Sequence, residues 1–145
     1  MFSQTTEYAL RAAVYLAQEP ERVRTTREIA EATSVPVDYL AKVMRSLVRA
    51  GLVRAQRGNS GGFVLATAAT ATSVLDVVNA VDPIRRIKGC PLGLAQHREH
   101  LCPLHKKLDE SMAVIETDFR ATCLSALAEA PAVMAAAVAG GDDAE

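Results

Sequence analysis

Tryptophan is absent from this 145-residue chain, and with three Phe and three Tyr the aromatics reach only 4%. A core with so few rings has to be built mainly from Ala, Val and Leu. Long apolar runs are also missing. No stretch approaches the ~20 residues that a membrane helix needs. The opening Met-Phe-Ser-Gln-Thr-Thr-Glu has no basic region followed by an apolar one, so no secretory signal is expected and the chain reads as cytoplasmic, with no membrane partner. Three cysteines, Cys90, Cys102 and Cys123, are too few and too unevenly spaced for the disulfide framework of a secreted domain. Paired carboxylates, a nucleophile with an oriented base and the Lys-Ser/Thr of a phosphate loop are lacking too, which argues against an enzyme. One core of ordinary size with one appendage suits this length.

A net charge of −1 conceals a split along the chain. Residues 1–66 carry nine Lys/Arg against six Asp/Glu, whereas residues 67–145 carry seven against eleven. Within residues 36–57 five basic residues face a single acid, Asp38. Local rather than overall positive charge is what nucleic-acid binding requires.

That basic segment has a definite pattern. Leu40, Val43, Met44, Leu47 and Val48 recur at i, i+3, i+4, i+7 and i+8, one face of a helix, while Lys42, Arg45 and Arg49 lie on another stripe. Gly51 stands where the helix should stop. Arg57-Gly58-Asn59-Ser60-Gly61-Gly62 then reads as a tight hairpin tip between strands at 52–56 and 62–66. Upstream, a helix over 3–18 ends at Glu-Pro-Glu. Thr25 and Glu28 have capping-box spacing for a short second helix. A turn at 33–35 leads to Pro36, which suits the first turn of the third. Two short helices joined by a turn and followed by a hairpin make a winged helix-turn-helix.

Asp38, Tyr39, Lys42 and Arg45 are the candidates for base edges, and Arg49, Arg57 and Asn59 for phosphate or the minor groove. Tyr39, like Phe63, also suits core packing.

Beyond residue 66 a connection leads to a helix from Ser73 to Val81, which Asp82-Pro83 ends. Residues 84–101 read as a loop. A long helix from about Pro103 to Leu124 carries Leu104, Leu108, Met112, Ile115 and Phe119 on a narrow stripe suited to pairing between subunits. Ala-rich helices are expected over 124–130 and 132–138, and an acidic disordered tail over 139–145. The fold class is therefore mainly α. A DNA-binding domain spans 1–82, a loop 83–102, and a dimerisation helix with a C-terminal helix 103–138.

Between Cys90 and His105 lie two thiols and all three histidines, His97, His100 and His105. Thiolate and imidazole are ligands of zinc, iron and iron–sulfur clusters. Cys123, near Phe119 and Leu124, reads as core.

The sequence resembles the Rrf2 family of bacterial transcription regulators over most of residues 1–127. The likeness rests on Thr6-Glu7-Tyr8-Ala9-Leu10-Arg11, Ile29-Ala30, Tyr39-Leu40, the run from Leu47 to Val53, and Arg57-Gly58-x-x-Gly61-Gly62-Phe63-x-Leu65-Ala66. The resemblance implies a homodimer formed through a long helix, bound to a palindromic double-stranded operator and expected to repress. It further implies an iron–sulfur cluster in the loop, whose state switches DNA affinity in response to redox, nitric oxide or iron–sulfur supply. Cys90 and Cys102 match the outer two of the family's three loop cysteines, and His105 matches a histidine three positions after the last. Gln96 or a neighbour stands at the central position and is not Cys. Some members recruit an acidic residue from the first helix of the partner, where this chain has Glu7. The implied ligands are thus Cys90, Cys102, His105 and a second copy's Glu7, with His97 or His100 as substitutes. Such a mixed set suits [2Fe–2S] better than a cubane, since each iron takes two protein ligands. The alternative is a cluster-free member that uses Cys90 and Cys102 as a thiol switch or binds another effector.

Overall fold

The computed structural model describes residues 2–97 and 99–129. The expected helix at 132–138 and the tail at 139–145 lie outside them. Six helices and one hairpin follow in the order α1 (Gln4–Gln18), α2 (Thr26–Thr33), α3 (Val37–Arg49), β1 (Val53–Gln56), β2 (Gly62–Leu65), α4 (Val74–Val81), α5 (Pro103–Ala121) and α6 (Leu124–Ala128). A single 3₁₀ turn, Ala95–His97, interrupts the long loop before α5. Among the described residues no helix is long and apolar enough to cross a membrane.

Local chemistry sets the helix boundaries. Ser3 caps α1 by accepting from the Thr6 amide. Thr25 and Glu28 form the expected reciprocal box at α2, and Ser73 with Asp76 forms a second at α4. Pro36 sits just before α3 rather than in its first turn, with ψ at 134°. Gly51 ends α3 in the left-handed region at φ 76°. Its amide reaches the Val48 carbonyl and the Leu52 amide reaches Leu47, the paired bonds of a Schellman stop.

The core forms where these elements meet. Ala9, Ala12, Ala13 and Leu16 of α1 pack with Ile29 of α2, with Leu40, Val43, Met44 and Leu47 of α3, and with Val77 and Leu124. Small residues along α1 let its neighbours approach closely, so few aromatics are needed. Fully burying each of the larger aliphatics contributes ~1.5–3 kcal/mol.

The two strands pair antiparallel with Val53 opposite Leu65 and Gln56 opposite Gly62. A third backbone segment joins them. Arg24 and Phe63 exchange hydrogen bonds of 2.8 and 2.7 Å, fixing the hairpin to the start of α2.

The C-terminal part departs from expectation in one respect. The long helix stops at Ala121, and Thr122–Cys123 run extended instead of continuing to Leu124. Here the Val74 amide bonds to the Thr122 carbonyl at 2.8 Å and the Leu124 amide to the Thr72 carbonyl at 2.9 Å. These bonds return the chain to the first domain, where α6 lies against α1. Cys123 caps α6 and is half-buried, whereas Leu124 beside it is fully buried.

Candidate functional site: recognition helix, wing and thiol–imidazole cluster

α3 presents its buried face to the core and an open face to solvent. Asp38, Lys42, Arg45 and Arg49 are all exposed on it. The Arg45 side chain folds back, its Nε donating to the Ala41 carbonyl at 3.3 Å. Tyr39 is turned partly inward. Its hydroxyl lies 3.1 Å from the Thr5 hydroxyl, and its ring stands edge-on to Tyr8 at 5.3 Å. Tyr39 therefore ties α3 to α1, which suits the second of its two expected uses, and half-buried Phe63 packs at the wing base.

Arg57 and Asn59 stand exposed at the hairpin tip. Glycine is required there for steric reasons. A Cβ at Gly62 would overlap the Arg24 carbonyl, and one at Gly61 would lie 2.6 Å from the Gln56 carbonyl oxygen. Arg27 was not foreseen in this region. It lines the concavity between α2 and the wing with Thr25, Gln56, Arg57 and Gly58. Its placement depends on the Arg24–Phe63 pairing, which links segments 39 residues apart and leaves no local pattern in the sequence.

The second cluster lies at the start of α5. Cys102 is the residue immediately before that helix, buried, with Pro103 in its first turn. The His105 Nδ1 lies 3.0 Å from the Cys102 sulfur and 3.6 Å from that of Cys90. Donor atoms of Cys90, Cys102 and His105 all fall within 4.8 Å of one another. The His105 backbone amide, with the imidazole of the same residue, holds the Cys102 thiol down at about 7. Thiolate therefore forms readily at neutral pH, and thiolate is the metal-binding form.

Of the remaining expected ligands, His97 places Nδ1 3.5 Å from the Cys90 sulfur. His100 is exposed, and Glu7 stands exposed in the first turn of α1. None of these three belongs to the group of converging donors among the described residues of the single chain.

The loop is fixed by residues that drew no notice in the sequence. Arg86 grips Asp109 of α5 through two hydrogen bonds of 2.8 and 2.6 Å, and the Ile87 amide adds a third at 2.8 Å. Arg86 and the Ile87 amide hold the Asp109 carboxyl down at about 2. Arg86 also approaches Glu116, at 3.7 Å.

The apolar stripe of α5 divides in two. Met112, Ile115 and Phe119 face α1 and α4, with Phe119 5.5 Å from the ring of Phe2. Leu104 and Leu108 remain 68% and 46% exposed, and no residue of this 19-residue helix is buried in the single chain.

Comparison with known proteins agrees with this arrangement. The family model Rrf2, described as "Iron-dependent Transcriptional regulator", matches residues 2–130. A protein of Aquifex aeolicus (strain VF5) named "Putative HTH-type transcriptional regulator" is 31% identical over 130 residues, covering 88% of this chain and 90% of its own. The structure is similar to that of CymR (YrzC), the global cysteine regulator of B. subtilis, with TM-score 0.75 and 24% identity over 90% of this chain and 98% of that one. It is also similar to T. potens IscR, with TM-score 0.70 and 21% identity over 100% of this chain and 93% of that one. A helix-turn-helix with its wing, matched over nearly the whole chain, makes this protein a member of the Rrf2 family of DNA-binding transcriptional regulators, and not an enzyme.

Proposed function

We propose that this regulator acts as a homodimer on a palindromic operator, as a repressor, and that an iron–sulfur cluster held in the loop before α5, of [2Fe–2S] type, sets its DNA affinity. The convergence of Cys90, Cys102 and His105 carries the reading. Two thiols and an imidazole in contact form a donor set for iron, and one of the thiols ionises near neutral pH. The residues present fit the group. When bound, it supplies a reversible one-electron couple that oxidants can alter.

The chain's own residues carry the consequence to DNA. Cys102 and His105 sit at the start of α5, a rod of 19 residues or roughly 28 Å. Its far end passes through Thr122 and Leu124, whose backbone bonds hold Thr72 and Val74. Arg86 makes the loop and α5 one unit through Asp109. A shift at the loop is thereby transmitted to the body that carries α3. In a dimer it alters the separation of two recognition helices, the quantity a two-fold operator measures.

Exposed Leu104 and Leu108 support pairing of α5 with a second copy, because an apolar row left open on a long helix is stabilised by burial. Asp38, Lys42 and Arg45 are proposed to face base edges, with Tyr39 seating the helix on α1, and Arg49, Arg57 and Asn59 to hold the backbone. Anaerobic gel-shift titration with cluster-loaded and cluster-free protein tests the switch. A difference in operator affinity is expected, and equal affinity of the two forms contradicts it. A thiol switch at Cys90 and Cys102 is the second reading, favoured by the same lowered Cys102 thiol. It requires redox-dependent binding from iron-free protein.

A further inference from the structure

The loop supplies three converging donors where a [2Fe–2S] cluster takes four protein ligands, two on each iron. We infer that His97 is the fourth, so that each subunit closes its own site with Cys90, His97, Cys102 and His105, and Glu7 is not a ligand. The inference rests on the reading of this loop as an iron–sulfur site.

Chain geometry brings His97 back to Cys90. The Gly93 amide bonds to the Cys90 carbonyl at 3.3 Å, and Gly93 takes the left-handed conformation at φ 64°. A 3₁₀ turn follows directly, with the His97 amide on the Leu94 carbonyl at 2.9 Å. Two successive reversals within eight residues set the imidazole over the thiol. A thiolate and an imidazole bound to one tetrahedral first-row metal lie ~3.6 Å apart, given metal–sulfur and metal–nitrogen bonds of ~2.3 and ~2.0 Å. Cys90 Sγ is 3.5 Å from His97 Nδ1, so that separation is already the one shared ligation requires.

The donors also divide into two thiol–imidazole pairs, Cys90 with His97 and Cys102 with His105 at 3.0 Å. Each pair is what one iron of a two-iron cluster requires. His97 is half-buried beside its thiol, whereas His100 is exposed; neither is one of the three mutually converging donors.

The test is anaerobic reconstitution with ferrous iron and sulfide of the wild type, His97→Ala, His97→Cys and Glu7→Gln. Iron and sulfide content, nitrogen hyperfine coupling in the reduced protein and circular dichroism for folding are read on each. Two histidine nitrogens are expected in the wild type and in Glu7→Gln, with equal iron content. His97→Ala should lose one nitrogen and most of its iron. His97→Cys should lose one nitrogen and keep its iron, and it decides the question alone if His97→Ala does not fold. Two nitrogens retained in either His97 variant, or loss of the cluster in Glu7→Gln, overturns the inference and leaves the cluster reading standing. A wild type that takes up no iron and sulfide overturns both.

Discussion

Arg86 and Asp109 are joined by two hydrogen bonds, Nε to Oδ1 at 2.8 Å and Nη2 to Oδ2 at 2.6 Å. This fork ties the loop that carries Cys90 to the helix that carries His105. Asp109→Asn removes the charge while keeping the shape, so the loop should detach locally without global unfolding. Amide exchange over residues 84–101 is expected to quicken, with exchange in α1 and α3 unchanged. Unaltered exchange at the loop would mean that the fork does not hold it.

The same pair sets a pH dependence. Folding lowers the Asp109 carboxyl from the ordinary ~4 to about 2. A group lowered in the folded state stabilises fully above its unfolded value, and that stabilisation is lost as pH falls through the folded one. The stability difference between wild type and Asp109→Asn should therefore be constant above pH ~5 and shrink progressively as pH falls toward ~1, through the folded value of about 2. Thermal melts of the two proteins across that range measure it, and a difference that does not change between pH ~5 and pH ~2 contradicts the assignment.

For DNA, Arg45→Ala should relax sequence preference, costing ~1–3 kcal/mol if Arg45 grips a guanine. Arg57→Ala should weaken all sequences about equally and lower the salt slope by about 1. Binding titrations on operator and scrambled DNA at several salt concentrations separate the two roles. An identical, sequence-independent loss in both variants would show that the division is wrong.

At the wing, Gly62→Ala forces a methyl group onto the Arg24 carbonyl and must displace the hairpin from α2. A loss of ~1–3 kcal/mol in stability is expected, with a larger fractional loss of DNA binding because the tip moves. Gly58→Ala meets no neighbour and is strained only through its φ of 107°, so it should cost less. Chemical denaturation of both variants ranks them, and the reverse order would mean that the Arg24 contact is soft.

Leu108→Glu places a charge on the open part of the α5 stripe. Sedimentation should show a monomer that keeps its fold, since no residue of α5 is buried in the single chain. A dimer that survives the substitution would place the interface elsewhere.

Much of this was legible where chemistry is local. The capping box at Thr25, the stop at Gly51, the α3 periodicity and the glycine tip each act within a few residues, and each element lies within a residue or two of its expected place. The thiol–imidazole cluster was legible because its members lie within sixteen residues. Long-range pairings were not. Arg24 with Phe63, Arg86 with Asp109 and Thr72 with Leu124 join segments whose sequences carry no periodic mark. The last of these also explains why α5 ended early. The helix was expected to run three residues past Ala121, to Leu124, but two backbone bonds to Thr72 and Val74 outweighed one more helical turn. The stripe itself, one row in sequence, divides into an inward part at Met112, Ile115 and Phe119 and an exposed part at Leu104 and Leu108.

The most direct measurement is iron and sulfide analysis, with a visible spectrum, of protein purified without oxygen. The account predicts a coloured protein with about two irons and two sulfides per chain. A colourless chain that stays free of iron after anaerobic reconstitution would contradict it.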